Sequence, residues 1–271
     1  MLPEALPTES TDTAVQPNRR FCIAPMMDYS DRHSRYFLRL FSPRILLYTE
    51  MVTAAAIQNG DREYLLRFNA EEHPLAVQLG GSDPEQLYQV AKICSDFGFD
   101  EINLNCGCPS DRVQSGSFGA CLMKDAALVA DCVAAMKSAT RLPVTVKHRT
   151  GIDQQEDYDE FAEFARVQIE AGADALIVHA RNAWLQGLNP KQNREIPPLK
   201  GPTRVEMLHR YYPYIESQLS LGLPLMRMAR HLIGLFHGEP NARLWRRYLS
   251  ENAHRKQAGM EVLYAAEKLV V

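Results

Sequence analysis

Apolar residues along this chain gather in short runs, each followed by a longer stretch in which apolar and polar positions recur at helical spacing. FCIAPM from Phe21, ILLYTEMV from Ile45, LAVQLGG from Leu75, EINLNCG from Glu101, VTVKHR from Val144 and ALIVHAR from Ala175 read as six strands. The stretches after them, among them DRHSRYFLRLF, SDPEQLYQVAKICSDFG, LVADCVAAMKSAT and DEFAEFARVQIEAGAD, read as amphipathic helices. In the second, Ser82 and Glu85 form an expected capping box, Pro84 sits in the first turn and Gly98 ends the helix. Strands alternating with helices imply βαβ units and a parallel sheet, and near-continuous apolar strands imply cover on both faces.

Several strands end in polar or reactive residues: Pro25 and Met26, Gln78, Asn105 to Cys108, Lys147 to Arg149, and His179 to Arg181. Taken singly, each is a solvated start to a loop. Together they match the active-site face of a TIM-type (β/α)₈ barrel, where the C-terminal strand ends converge. Residues 182–200, NAWLQGLNPKQNREIPPLK, carry little periodicity and have the length of a binding loop. From Thr203, with a second capping box to Glu206, the pattern is helical to the end. The expected fold is therefore a barrel with only six recognisable strands, followed by a C-terminal α-helical domain. The expected divisions are 1–19 as a disordered leader, 20–200 as the incomplete barrel and 201–271 as the helical domain.

Composition narrows the function classes. The 271 residues are 46% hydrophobic and 23% charged, with a formal net charge of −3, so any polyanion must bind a local patch. No apolar run reaches membrane-spanning length, and the first twenty residues lack the apolar core of a signal peptide. A cytoplasmic protein is expected. Its six cysteines are then reduced thiols rather than a disulfide framework, and without a CxxC pair no metal site is expected. Cys106 and Cys108 flank Gly107 where the fourth strand ends; the motif is either a plain turn or a thiol displayed at the barrel mouth. Between Met226 and Lys256, seven Lys or Arg residues face two Glu. Arg243, Arg246 and Arg247 in that stretch form either a solvated face or a phosphate-tracking patch.

The stretches APMMDYSDRHSRYFLR, LLYTEMV, LAVQLGGSDP, DEINLNCGCPSDRVQSGSFGACLM, PVTVKHRTGID and HARNAWLQGLNPKQNREIPPL, in that order, resemble the tRNA-dihydrouridine synthases, in particular their bacterial A type. The tail HLIGLFHGEPNARLWRRYLSENAH is similar to that family's helical domain. The resemblance implies reduction of uridine to 5,6-dihydrouridine in the tRNA D-loop, at positions 20 and 20a, with FMN as cofactor and NADPH as reductant. It implies that Pro25, Met26, Met27, Gln78, Lys147 and His179 bind the flavin, with Lys147 at the N1/O2 side of the ring. It makes Cys108 the proton donor and Cys106 dispensable. Asn105 and Arg181 are then candidates for the uracil edge, and Asn189, Gln192, Arg243, Arg246 and Arg247 for tRNA, with no obligate protein partner.

One departure accompanies the resemblance. In the family two further strands follow the sixth, and their loops bind the FMN phosphate. Here IPPLK runs through Gly201 and Pro202 straight into the helices, so about sixty residues, two βα units, are absent. Impaired flavin retention is expected. A tRNA-binding remnant without catalysis, and an FMN oxidoreductase acting on free pyrimidines, are the two alternatives.

Overall fold

The structure, a computed structural model, describes residues 17–109, 118–152, 157–181 and 202–270. Its centre is a six-stranded sheet in which every neighbour pairs parallel and the spatial order is the order along the chain. The strands are β1 (Cys22–Ile23), β2 (Leu46–Thr53), β3 (Leu75–Gly80), β4 (Glu101–Cys106), β5 (Val144–Arg149) and β6 (Ala175–His179). All six follow the apolar runs of the sequence. The first shrinks to two residues, because Pro25 lacks an N–H for a ladder and β1 lies at the sheet's edge.

Side chains alternate across this sheet. Leu75, Val77, Leu79, Ile102, Leu104, Cys106, Val144 and Val146 point to the helix layer and form its fully buried core. The helices α1 (Arg32–Arg39), α2 (Ala54–Asn59), α3 (Arg62–Leu66), α4 (Pro84–Asp96), α5 (Ala126–Ala139) and α6 (Tyr158–Glu170) fall between successive strands. The opposite, concave face carries Tyr48, Gln78, Glu101, Asn103, Asn105 and Thr145, joined by hydrogen bonds. The arrangement is a partial TIM barrel. Among the described residues β1 and β6 remain open edges, and Val178 of β6 is 42% exposed where a closed barrel would cover it.

Local signals act largely as the sequence suggests. The α4 cap is shifted by one residue: Asp83, not Ser82, accepts from the N–H groups of Glu85 and Gln86. A carboxylate at that position also suits the positive end of the helix dipole better than a hydroxyl. Pro84 opens the helix, and Gly98, at φ +89°, follows its end in a conformation other residues adopt at a cost. The Thr203–Glu206 capping box forms as expected and starts α7 (Arg204–Ser220).

The helices α7, α8 (Met226–Ala229), α9 (Ala242–Asn252) and α10 (Met260–Glu267) enclose a second core. Phe37 of α1 belongs to it, so α1 lies in the barrel by sequence and in the helical unit by packing. Tyr36 stacks on Tyr214 with ring centroids 4.0 Å apart. Arg32 donates to Gln218 at 2.8 Å, and the Tyr211 hydroxyl donates to the His33 carbonyl. His231 pairs with Asp31 at 2.9 Å, and His33 Nδ1 lies 2.8 Å from the Tyr214 hydroxyl. Residues 1–16 of the expected leader lie outside the described residues. Arg19 forms an ion pair with Glu101 on the concave face.

Burial lowers the His33 pKa to about 4, opposed by Asp31 and helped by the positive charges of Arg32, His231 and Arg227. The folded state therefore binds fewer protons than the unfolded chain below pH 6.5. The stability His33 contributes is whole above its unfolded pKa and is lost as pH falls toward 4. By pH 4.5 this loss is on the order of 2 kcal/mol. His33→Asn, followed by thermal melts between pH 7 and 4.5, should flatten that part of the pH dependence; an unchanged slope would assign it elsewhere.

Candidate active site at the open end of the sheet

The C-terminal halves of β3 and β4 are tied together by side-chain amides. Gln78 donates to Asn103 Oδ1 at 2.8 Å, and Asn105 Nδ2 donates to Gln78 Oε1 at 2.8 Å. The Asn105 oxygen then accepts two backbone N–H groups, of Gly107 and Cys108, at 3.0 Å each. This Asx-type turn points the chain away from the sheet immediately after β4. Arg149 closes it from the other side by donating to the Gly107 carbonyl at 2.6 Å.

The turn separates the two cysteines. Cys106 is fully buried in the helix layer, and burial pushes its thiol pKa far up. Cys94 and Cys132 are buried too, with thiol pKa values pushed up to about 12. Cys108, two residues past Cys106, is partly exposed and lines a cleft of about 790 Å³. The ambiguity of the Cys-Gly-Cys motif thus resolves into one core thiol and one displayed thiol.

Around the displayed thiol the chemistry is cationic. Lys147 has its pKa lowered by burial and by Arg149, with Cys108 opposing. Burial, then Arg149, Lys147 and Arg181, lower that of His179. Each of these groups disfavours the charge of its neighbours, which suits the site to an anion. The cleft lined by Cys108 is also lined by Arg227 of α8 and Arg230 just after it, with Arg32 and Arg67. Glu50 lies there also, its pKa raised chiefly by burial, and accepts the Asp28 N–H at 2.5 Å.

The sequence-derived candidates therefore divide. Gln78, Asn105, Cys108, Lys147, His179 and Arg181 end neighbouring strands, and Met27 lines the cleft while Met26 is half exposed beside it. Pro25 ends β1 on the same side of the sheet. The Asn105 oxygen is committed to the Cys108 turn and one of its amide hydrogens to Gln78, so the residue also holds the chain. Asn189 and Gln192 lie outside the described residues. Arg243, Arg246 and Arg247 are exposed on α9 around the buried Trp245, and Arg247 is paired with Glu251. They are not in the cleft wall. Arg227 and Arg230, which are, belong to the basic stretch, but nothing in the sequence separates them from its other cations. Their spacing puts them on one helix face, while the seam they meet is a tertiary feature. Among the described residues there is no metal-binding cluster, and no helix is long and apolar enough to cross a membrane.

Parallel strands in chain order, helices between them and reactive groups at the strands' C-terminal ends define an enzyme of the TIM-barrel class. Within that class the chain belongs to the dihydrouridine synthase family, whose model matches residues 22–203 and 186–270. It is 47% identical over 311 positions to a tRNA-dihydrouridine(20/20a) synthase of Xanthomonas campestris, covering 92% of this chain and 93% of that one. It is 46% identical to the protein of that name from Escherichia coli strain K12, over 97% and 94% of the two chains, and 43% identical to that of Synechocystis, over 94% and 95%. Since 92% of 271 residues is about 249, some sixty of the 311 aligned positions have no counterpart here. The family match divides at residues 186–203, next to the expected gap.

In the native protein, iodoacetamide should modify Cys108 well before Cys94, Cys106 or Cys132. Peptide mass mapping against time reads this, and early labelling of Cys106 would contradict the orientation of β4.

Proposed function

We propose that this chain reduces uridine to dihydrouridine in the D-loop of tRNA, in the cytoplasm, with FMN as cofactor and NADPH as reductant. The observation that carries this reading is the Cys108 thiol, the cysteine that lines the cleft at the mouth of a TIM-type sheet, beside buried amides and a cationic group. Gln78 and Asn105 use one amide hydrogen each in the relay, which leaves the second of each to a hydrogen-bonding ring edge. Lys147 and His179, already short of compensating negative charge, suit an anionic ring or phosphate. These residues fit a flavin mononucleotide.

A flavin bound there would supply the hydride that adds to C6 of the uracil. Cys108 then acts as general acid, giving its proton to C5 as negative charge develops on the base. Asn105 fixes the turn that aims the thiol, and Arg149 holds the turn's Gly107 carbonyl. Arg181, exposed at the end of β6, is placed for the uracil edge or a neighbouring phosphate. The target base must leave its stack to reach this depth. The arginines of the cleft wall, and Arg243, Arg246 and Arg247 beyond it, follow the tRNA backbone. This requirement for a polyanion weighs against free pyrimidines as substrates. A tRNA-binding protein without catalysis is the second reading, favoured by the sixty positions missing beyond β6.

With added FMN, NADPH and unmodified tRNA, Cys108→Ala should abolish dihydrouridine formation, whereas Cys106→Ala should retain most of it. Equal losses from the two would sink the assignment of the proton donor. Replacing Arg243, Arg246 and Arg247 by alanine should weaken tRNA binding and flatten its salt dependence, by about one unit of slope for each phosphate left unneutralised. An unaltered slope would leave them a solvated face.

A further inference from the structure

Beneath the amides of the site the hydrogen-bonded chain continues to the floor of the sheet. Asn103 Nδ2 donates to Thr145 Oγ1 at 2.9 Å, and the Thr145 hydroxyl donates to Glu101 Oε1 at 2.6 Å. Tyr48 donates to the same oxygen at 2.8 Å, and Arg19 to Oε2 at 2.9 Å. Glu101 is fully buried, as are Asn103 and Thr145. Both of its oxygens therefore accept, and it ends the chain as an acceptor.

That end fixes every other direction. A hydroxyl that donates to Glu101 offers a lone pair to Asn103, which must present its nitrogen there and its oxygen to Gln78. Gln78 must then present its nitrogen to Asn103 and its oxygen to Asn105. Asn105 must present its nitrogen to Gln78, leaving its oxygen for the N–H groups of Gly107 and Cys108. A reversed Asn105 amide would face those two donors with a third.

We propose that Glu101 is a positioning residue for the reaction, setting through Thr145, Asn103, Gln78 and Asn105 the amide direction that holds the Cys108 turn. The inference rests on the reading of Cys108 as proton donor, but the relay stands or falls independently of it. Arg149 and Ala120 hold the turn's carbonyls, at Gly107 and Cys108. Its N–H groups depend on Asn105.

Glu101→Gln puts an amide nitrogen where an acceptor stood and lets the chain reverse, while Thr145→Val cuts it. Tyr48→Phe removes a donor to Glu101 but leaves the chain whole. The test is the rate of Cys108 alkylation by iodoacetamide in the full chain without cofactor or tRNA, with Cys106 and Cys132 followed as internal controls. Glu101→Gln and Thr145→Val should each raise the Cys108 rate roughly fivefold, as expected for losing about one hydrogen bond of the turn. Tyr48→Phe should leave the rate at the wild-type value, and the buried thiols should stay protected in all three variants. Wild-type rates in both Glu101→Gln and Thr145→Val would overturn the proposal. So would a parallel rise at Cys106 and Cys132, which would reduce Glu101 to general stability. If the rates behave as stated while Cys108→Ala still reduces uridine, the relay holds and the assignment of the proton donor fails.

Discussion

A buried carboxylate has to be fully hydrogen-bonded, and in this chain that requirement organises the concave face of the sheet. Glu101 satisfies it with Arg19, Tyr48 and Thr145, drawn from three other segments. Removing one partner from such a group typically costs about 3–5 kcal/mol, so the cluster strongly constrains the register of β2, β4 and β5. From the same carboxylate the relay of amides reaches the mouth, where it ends on the backbone of Cys108. The floor of the partial barrel and its reactive turn are one connected structure.

What the relay does not reach is the far side of the sheet. Among the described residues β6 has a neighbour on only one edge, and its strand residues run from half-buried at Ala175 to exposed at His179. Open parallel edges with exposed apolar side chains such as Phe21 and Val178 invite association. The groups proposed for the flavin ring, Gln78 and Lys147, lie on β3 and β5, inside the paired part. The further strands whose loops the family resemblance assigns to the phosphate are not found among the described residues. On this reading the missing segment separates two properties that the family combines, ring chemistry and cofactor retention.

Much of this was legible in the sequence. The six apolar runs could only be strands of a doubly covered parallel sheet, and polar residues at their ends marked the reactive face. The alternation of β4 was legible too, since Glu101, Asn103 and Asn105 must share one face and Cys106 the other. That these polar residues bind one another could not be read, because it depends on register between strands separated by helices. The part Asn105 plays in holding the Cys108 turn was accordingly not legible. Arg227 and Arg230 could not be told from the other cations of the basic stretch, because what places them is the packing of α8 beside α1. Phe37 of α1 shares a core with Met228 and Ala229 of α8, and His231 just beyond α8 pairs with Asp31, the cap of α1; no local motif announces either contact. The α4 cap falls one position later than the sequence suggests because Ser82 and Asp83 are both good caps and only backbone geometry chooses between them.

The central claim is that the half carrying the ring contacts and the proton donor is intact while the phosphate-holding half is gone. The most direct measurement is the flavin-to-protein ratio, read by absorbance after saturation with FMN and again after gel filtration. The account predicts binding while FMN is in excess and little flavin left on the chain after filtration. One tightly held FMN per chain surviving the column would contradict it.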